Sequence, residues 1–511
     1  MDISSRRKFN VKAVVLISAC LILLHALHPV FVTKTVRANQ TWTVDADGSG
    51  IRSIQQAINN ANDGDTILVL PGIYYEHLIV DKGLSIVGED QHNTIVDGSD
   101  TETVVTVAAN NVTIKGFTVQ HGGVGIKLAG GKEGNTLFDN TMLLNAYYGI
   151  YGDLCGSTVI ANNNVSFNGW HGIFLYGSKP CVLDSNLIMS NGIDGLFIRA
   201  SSNNTVTGNL VSDNRVCGID IYSDEDPIRA HGLPKNNAIE HNHVLNNSCG
   251  VKIGYVGADM SSTENQIYEN FIGYNELGLN MSGANGNSVH HNNFINNSIQ
   301  VSTDESFNNT WDDSYYGGGN YWSDCNSADL FWGPSQNETG SDGITDFPYL
   351  ISTNPGEEDE YPFMYTNGWL SIQEVTIVSP SNKTYRSNTV PLLVTTNKPA
   401  RLSYSLDSQT NSTITENLVL SNLPAGTHNV TVHASDNLDD KASSEVLFTV
   451  TFLGDINLDG TVNILDIFVV AQSFDCTPES ERWNPNADLN NDRVINILDI
   501  FLVANEYGKT M

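Results

Sequence analysis

Two short segments near the end of the chain carry oxygen donors at alternate positions. Asp455, Asn457, Asp459, Asn463 and Asp466 occupy positions 1, 3, 5, 9 and 12 of a loop, with Gly460 at position 6 and the Thr461 carbonyl at position 7. Thirty-three residues later Asp488, Asn490, Asp492, Asn496 and Asp499 repeat the spacing, with Val494 offering the position-7 carbonyl. A hard cation that takes six to eight oxygens wants such a set, so two calcium sites are expected. Two merely solvated acidic loops would not need the duplication, which extends into the following NILDIFVVA (463–471) and NILDIFLVA (496–504). One position departs: Arg493 stands where Gly460 stands in the first loop. A left-handed backbone costs a non-glycine residue about 1 kcal/mol, so the second site should bind calcium more weakly.

A second group of chemistry-bearing residues lies upstream, in a row spaced by the repeat described below: Lys127, Tyr151, Phe174, Phe197, Asp220, Lys252, Asn280 and Gln300. His171, Asp194, Tyr176, Arg199 and Tyr222 fall beside it, and Asp224, Asp226, Arg229 and His231 crowd an insertion over 224–235. Aromatic faces suit stacking on sugar rings, and long loops on rigid scaffolds collect function. His171, Phe174, Tyr176, Phe197, Arg199, Tyr222 and Lys252 are thus candidate substrate contacts. Asp194 and Asp220 are a candidate acid and base. The competing reading is an ordinary solvated face. His241 and His243, then His290 and His291, could offer imidazole to copper, although both pairs sit in Asn-rich turns. Cys217 and Cys249 hold matching places in consecutive repeats, which favours a disulfide over a thiolate metal site.

The elements that position these residues follow from an internal period. Gly149, Gly172, Gly195 and Gly218 recur every 23 residues, and most precede an apolar-x-apolar triplet such as Ile173-Phe174-Leu175 or Leu196-Phe197-Ile198. Gly250 and Gly278 continue the series after insertions. One asparagine column runs Asn140, Asn163, Asn186, Asn209, Asn242, Asn270, Asn293, and another Asn145, Asn168, Asn191, Asn214, Asn247, Asn275. Short strands alternating apolar-in and polar-out, with turns between, wind into a coil of this length. Stacked coils bury the inward Ile, Leu and Val, and the Asn amides can bond along the stack. The Asn residues are expected to take the left-handed turn positions, and each Gly a positive φ or a close backbone approach. The expectation is a parallel β-helix, capped at its start by an amphipathic helix through Ile54, Ala57 and Ile58 that hides an open edge. A leucine-rich repeat would need a helix in each repeat, and none is present.

The remaining features bound the function. The chain has 511 residues with 25 Lys+Arg against 57 Asp+Glu, a formal net charge of −32. So negative a chain repels nucleic acid and anionic lipid, which removes both as partners. Arg6, Arg7 and Lys8 followed by an apolar run from Ala13 read as an export signal over 1–38, either cleaved after Ala38 or retained as a membrane anchor. Asn-x-Ser/Thr sequons (Asn111, Asn164, Asn280, Asn382 and Asn429 among them) agree with export to the cell surface or beyond. Residues 371–452 switch to alternating strands with turn signals, a small β-sandwich.

With these residues in view, resemblances can be named. TWTVDADGSGIRSIQQAI, DGDTILVLPGIYYEHLIVDKGLSIVG and the Asn columns resemble pectin-lyase-like right-handed parallel β-helix proteins, and NNTWDDSYYGGGNYWSD (308–324) resembles the end-piece of NosD-like surface proteins. The 371–452 segment resembles immunoglobulin-like spacer modules, and 453–508 a type I dockerin. The organisation so implied is mainly β: signal or anchor 1–38, right-handed β-helix 39–366, Ig-like sandwich 371–452 and a small α-helical, calcium-binding dockerin 453–508. The resemblance implies a cohesin-bearing partner, met near loop positions 10 and 11. Here these are Ile464-Leu465 and Ile497-Leu498 rather than small hydroxyl residues. Three functions stay open: a carbohydrate-binding surface protein, an enzyme that cleaves or epimerises acidic polysaccharide, and a copper-handling protein. Neither the Asp clusters of polygalacturonases nor the Asp-Pro-His run of alginate epimerases occurs in the chain.

Overall fold

The computed structural model describes residues 38–223, 233–254, 262–353, 356–370, 374–396, 400–414, 418–435 and 441–510. Residues 1–37 of the expected signal, and Asp224, Asp226, Arg229 and His231 of the insertion, lie outside the described residues.

Short parallel strands stack coil upon coil, and one face is an 11-stranded sheet running from Thr41–Val44 to Ser288–His290. Register is set by the repeat: Ile173 pairs with Leu196 and Leu196 with Ile219, so inward residues stack on inward residues. Ile150, Ile173, Leu196, Ile219, Val251 and Leu279 form one column of a single continuous core. The helix Ile54–Asn60 closes the start, burying Ile54, Ala57 and Ile58, with the Ser53 hydroxyl accepting from Gln56 N–H. Glu76 completes that cap by accepting from the Ile54 and Gln55 amides.

The asparagines stiffen the turns. In each coil the ladder Asn accepts from the backbone N–H and the amide of its predecessor, and its own Nδ2 donates onward. Asn209 accepts from Asn186 N at 2.9 Å and Asn186 Nδ2 at 2.9 Å, then donates to Asn242 Oδ1 at 2.9 Å and to the Leu183 and Thr207 carbonyls. Two expectations need correction. The left-handed residue is the one before each ladder Asn (Asn162, Ser185, Gly208, His241, Glu269), because the turn must swing the Asn side chain inward to satisfy its amides. The first column continues through Asn292 rather than Asn293, since Asn270 N donates to Asn292 Oδ1 at 3.1 Å. The glycines before the triplets serve close approach, not positive φ: a Cβ on Gly172 would sit 2.7 Å from both Gly195 O and Asn191 Nδ2.

At the far end the first column, and a third one running through Asn265, Asn287 and Asn309, stop on acids. Asn320 N donates to Asp359 Oδ2 at 2.7 Å, as does the Trp322 indole at 2.8 Å. Asn309 N and the Trp311 indole donate to Glu357. Phe294, Trp322 and Tyr349 stack at 4.3 Å steps beside them.

Beyond the coil, a three-stranded sheet (Val375–Ser379, Val390–Thr396, Leu418–Leu420) and a five-stranded sheet built around Gly426–Ser435 and Lys441–Val450 share a separate core of Val390, Leu392, Leu420, Val430, Val432 and Phe448. Two helices, Ile464–Gln472 and Ile497–Asn505, enclose a third core with Val462, Val470, Ile495 and Val503. No helix among the described residues is long and apolar enough to cross a membrane.

Candidate functional site

The ladder register turns the upstream candidates into one surface. Tyr151, Phe174, Phe197, Asp220, Lys252 and Asn280 follow one another in neighbouring coils, and Tyr176, Arg199 and Tyr222 form the next row. The row ends at Ser302, not Gln300, which is buried and bonded to Asn297 and Ser323. Phe174 and Phe197 stack with centroids 5.0 Å apart, and Tyr151 lies 5.2 Å from Phe174. Arg199 sits over Tyr176, and Lys252 over Tyr222 at 5.3 Å. All nine upstream candidates are therefore contiguous.

His171 and Asp194 are covered. The imidazole lies between Tyr148 and Phe197, 5.8 and 4.8 Å away, and its Nδ1 stands 3.0 Å from Asp194 Oδ2, too far out of line for a hydrogen bond. Asp194 Oδ1 accepts from Cys217 N–H at 2.8 Å. Asp220 faces Lys252 Nζ at 3.3 Å through Oδ2, while its buried Oδ1 has no hydrogen-bond partner among the described residues. Burial pushes the Asp220 carboxyl up to about 6; the Lys252 ammonium opposes the rise and the Asp194 carboxylate adds to it. Burial works against the Lys252 ammonium, yet the Asp220 carboxylate and its other acidic neighbours, Asp194 among them, together outweigh it and the lysine pKa rises. A carboxyl held near neutrality beside a second carboxylate, against aromatic faces, can trade a proton with a bound polymer.

Sequence reasoning missed Tyr148 and treated Cys217 only as half of a disulfide. Both fall in the column Tyr148, His171, Asp194, Cys217, spaced by 23 residues, and that beat was the signal available. Cys217 and Cys249 do pair in register, but both are free thiols, as are Cys155, Cys181, Cys325 and Cys476. This corrects the disulfide expectation: strand pairing supplies proximity without a bond. The histidines do not converge on a common centre. His241 pairs with Glu269 at 2.6 Å, His243 stacks on Phe271, His290 stacks on Tyr268, and His291 bonds the Gly317 carbonyl.

The two terminal loops are near copies. Asp455 Oδ1 and Oδ2 accept from the Asp459 and Gly460 amides at 3.1 and 3.0 Å; Asp488 does the same for Asp492 and Arg493 at 3.1 and 2.9 Å. Asp466 and Asp499 each cap their own helix through the Asn463 and Asn496 amides and reach back to Ile456 and Leu489. Asp455, Asp466 and Asp499 are fully buried, and no lysine or arginine forms an ion pair with them among the described residues. Such an uncompensated oxygen cage fits a hard divalent cation. Gly460 and Arg493 both take left-handed backbone, φ 83° and 68°.

Comparison with known proteins gives these geometries relatives. Residues 453–506 match the family described as dockerin type I domain. The chain carries a type I dockerin. Residues 102–255 match the right handed beta helix region, and 232–327 the periplasmic copper-binding protein NosD. A 92-residue stretch is 35% identical to a cell surface glycoprotein of Methanothermus fervidus, covering 17% of this chain and only 15% of that relative. Among solved structures, an Azotobacter vinelandii mannuronan C-5 epimerase A-module aligns at 15% identity and TM-score 0.41, over 49% of this chain and 73% of its own. An alginate lyase of Paenibacillus sp. aligns at 12% and 0.40, over 53% and 99%. Just after the two acidic loops, Ile464, Leu465, Ile497 and Leu498 point to solvent, each more than half exposed.

Proposed function

We propose that the protein is an exported cell-surface component whose β-helix flank binds carbohydrate, and whose dockerin fastens it, with calcium bound, to a cohesin-bearing partner. The observation that carries this reading is the unbroken aromatic row Tyr151, Phe174, Phe197 with Arg199, Tyr222 and Lys252 alongside. Ring faces repeated at coil spacing offer a polymer successive stacking places, and the cations favour an acidic one. In the dockerin, Asp455, Asn457, Asp459, Asn463 and Asp466, with the Thr461 carbonyl, would hold one calcium. Asp488, Asn490, Asp492, Asn496 and Asp499, with the Val494 carbonyl, would hold the other. Calcium supplies the charge that the buried carboxylates lack; the exposed Ile-Leu pairs supply the partner contact. The two sheets over 374–450 serve as a spacer of immunoglobulin-like type.

A second reading is favoured by the Asp220 carboxyl near 6 beside Asp194: acid and base acting on a bound acidic polysaccharide. A panel of polysaccharides tests both. Binding without new chain ends, abolished by Phe174→Ala with Phe197→Ala, supports the binding module. New reducing or unsaturated ends that vanish in Asp194→Ala make it an enzyme, and neither binding nor turnover on any acidic polymer sinks the groove assignment. Copper handling finds a family match over 232–327, but of the four histidines only His290 and His291 touch; stoichiometric Cu(I) uptake lost in His241→Ala would restore it.

A further inference from the structure

We propose that Asp194, Cys217 and Asp220 form a binding site for a zinc-class divalent cation, with its fourth position open. One ligand atom from each lies within 4.8 Å of the others, and all three side chains are buried. They come from two adjacent coils: Asp194 and Cys217 share a column, and Asp220 follows Cys217 by three residues. The strand ladders therefore fix their separation before any ion arrives.

A second observation points to a ligand. Asp220 is 6% exposed, its Oδ2 is taken by Lys252, and Oδ1 has no hydrogen-bond partner among the described residues. Leaving a carboxylate oxygen dry and unbonded is costly, and a cation removes that cost. The donor set selects the metal. Thiolate with two carboxylates suits zinc, whereas calcium and magnesium avoid sulfur. Three protein ligands and one open position is the arrangement that leaves room for water or a substrate oxygen.

Charge closes as well. On binding, the Cys217 Sγ–H proton leaves to solvent and the sulfur becomes thiolate. Two carboxylates and one thiolate then face one divalent ion and the Lys252 ammonium, so the buried cluster is neutral. Lys252 fixes Asp220 from outside by a hydrogen bond, and the His171 ring, held between Tyr148 and Phe197, packs against Asp194 without bonding it. The inference does not depend on the groove binding sugar.

Cobalt(II) titration of the thiol-reduced, calcium-saturated full chain tests it. A sulfur-to-cobalt charge-transfer band is expected at one equivalent, displaced by zinc. Cys217→Ser should abolish the band, Asp220→Asn should weaken binding at least tenfold, and Cys476→Ser in the dockerin should leave both unchanged. Absence of the band, or its survival in Cys217→Ser, overturns the site, as does a Cys217–Cys249 disulfide found by peptide mapping of the native protein. Should circular dichroism show that Cys217→Ser has unfolded, the Asp220→Asn titration decides, and unaltered cobalt affinity there overturns the site equally.

Discussion

The β-helix and the dockerin solve the same problem of buried polar groups in opposite ways. In the coil, ladder asparagines such as Asn209 find their partners in the coil before and the coil after, so most of the polar ladder is satisfied by the chain itself. In the dockerin, Asp455, Asp466 and Asp499 are equally buried, yet their partners are mostly the amides of their own short loops, which leaves net negative charge inside a small core. A long repeat can afford to be self-sufficient. A module of some fifty residues has too little core to stand without an added staple.

The largest expected effect separates the two regions outright. Chelation of the full chain should unfold the dockerin and leave the β-helix standing, read as loss of helical circular dichroism with the strand signal kept. A single transition taking both away would contradict the comparison. Next comes Asn209→Ala, which orphans the donors of Asn186 and two carbonyls at once; a loss of roughly 5 kcal/mol in the β-helix transition is expected by denaturant titration. A cost below about 1 kcal/mol would show that the ladder is decorative.

The ladder's acidic end gives a pH signature. Burial pushes the Asp359 carboxyl up to about 7, against the amides and indole that donate to it. Because the folded value lies above the unfolded one, its contribution is full below about pH 4 and is lost as pH rises toward 7. Over that window β-helix stability should fall by something on the order of 4 kcal/mol. Asp359→Asn should flatten the profile; an unchanged slope would mean that other groups set it. The smallest effect sits within the dockerin. Arg493→Gly should relieve about 1 kcal/mol of left-handed strain and tighten the second calcium site roughly fivefold by calorimetry. Equal affinities in the parent chain would remove the asymmetry.

Much of this was legible in the residues. The 23-residue beat specified the coil, since a period-2 pattern in register can bury only one set of side chains, and the outward row from Tyr151 to Lys252 followed from it. The twin acidic loops were legible because their spacing is local: donor positions and the capping asparagines Asn463 and Asn496 lie within a twelve-residue stretch of each loop. Misreadings arose where backbone direction mattered. Asn293 for Asn292 and Gln300 for Ser302 are slips of one or two residues near the end of the coil, where the repeat shortens from 28 to 22.

Sequence alone determined that the chain coils, which faces turn inward, and that two loops carry oxygen donors, because each rests on periodicity or short-range spacing. Only the tertiary structure decided that Asp194, Cys217 and Asp220 meet, that the paired Cys217 and Cys249 thiols stay unbonded, and that Glu357 and Asp359 each end an asparagine column. Those facts depend on side-chain directions across neighbouring coils and on a returning segment some forty residues away in the chain, and no local pattern encodes them.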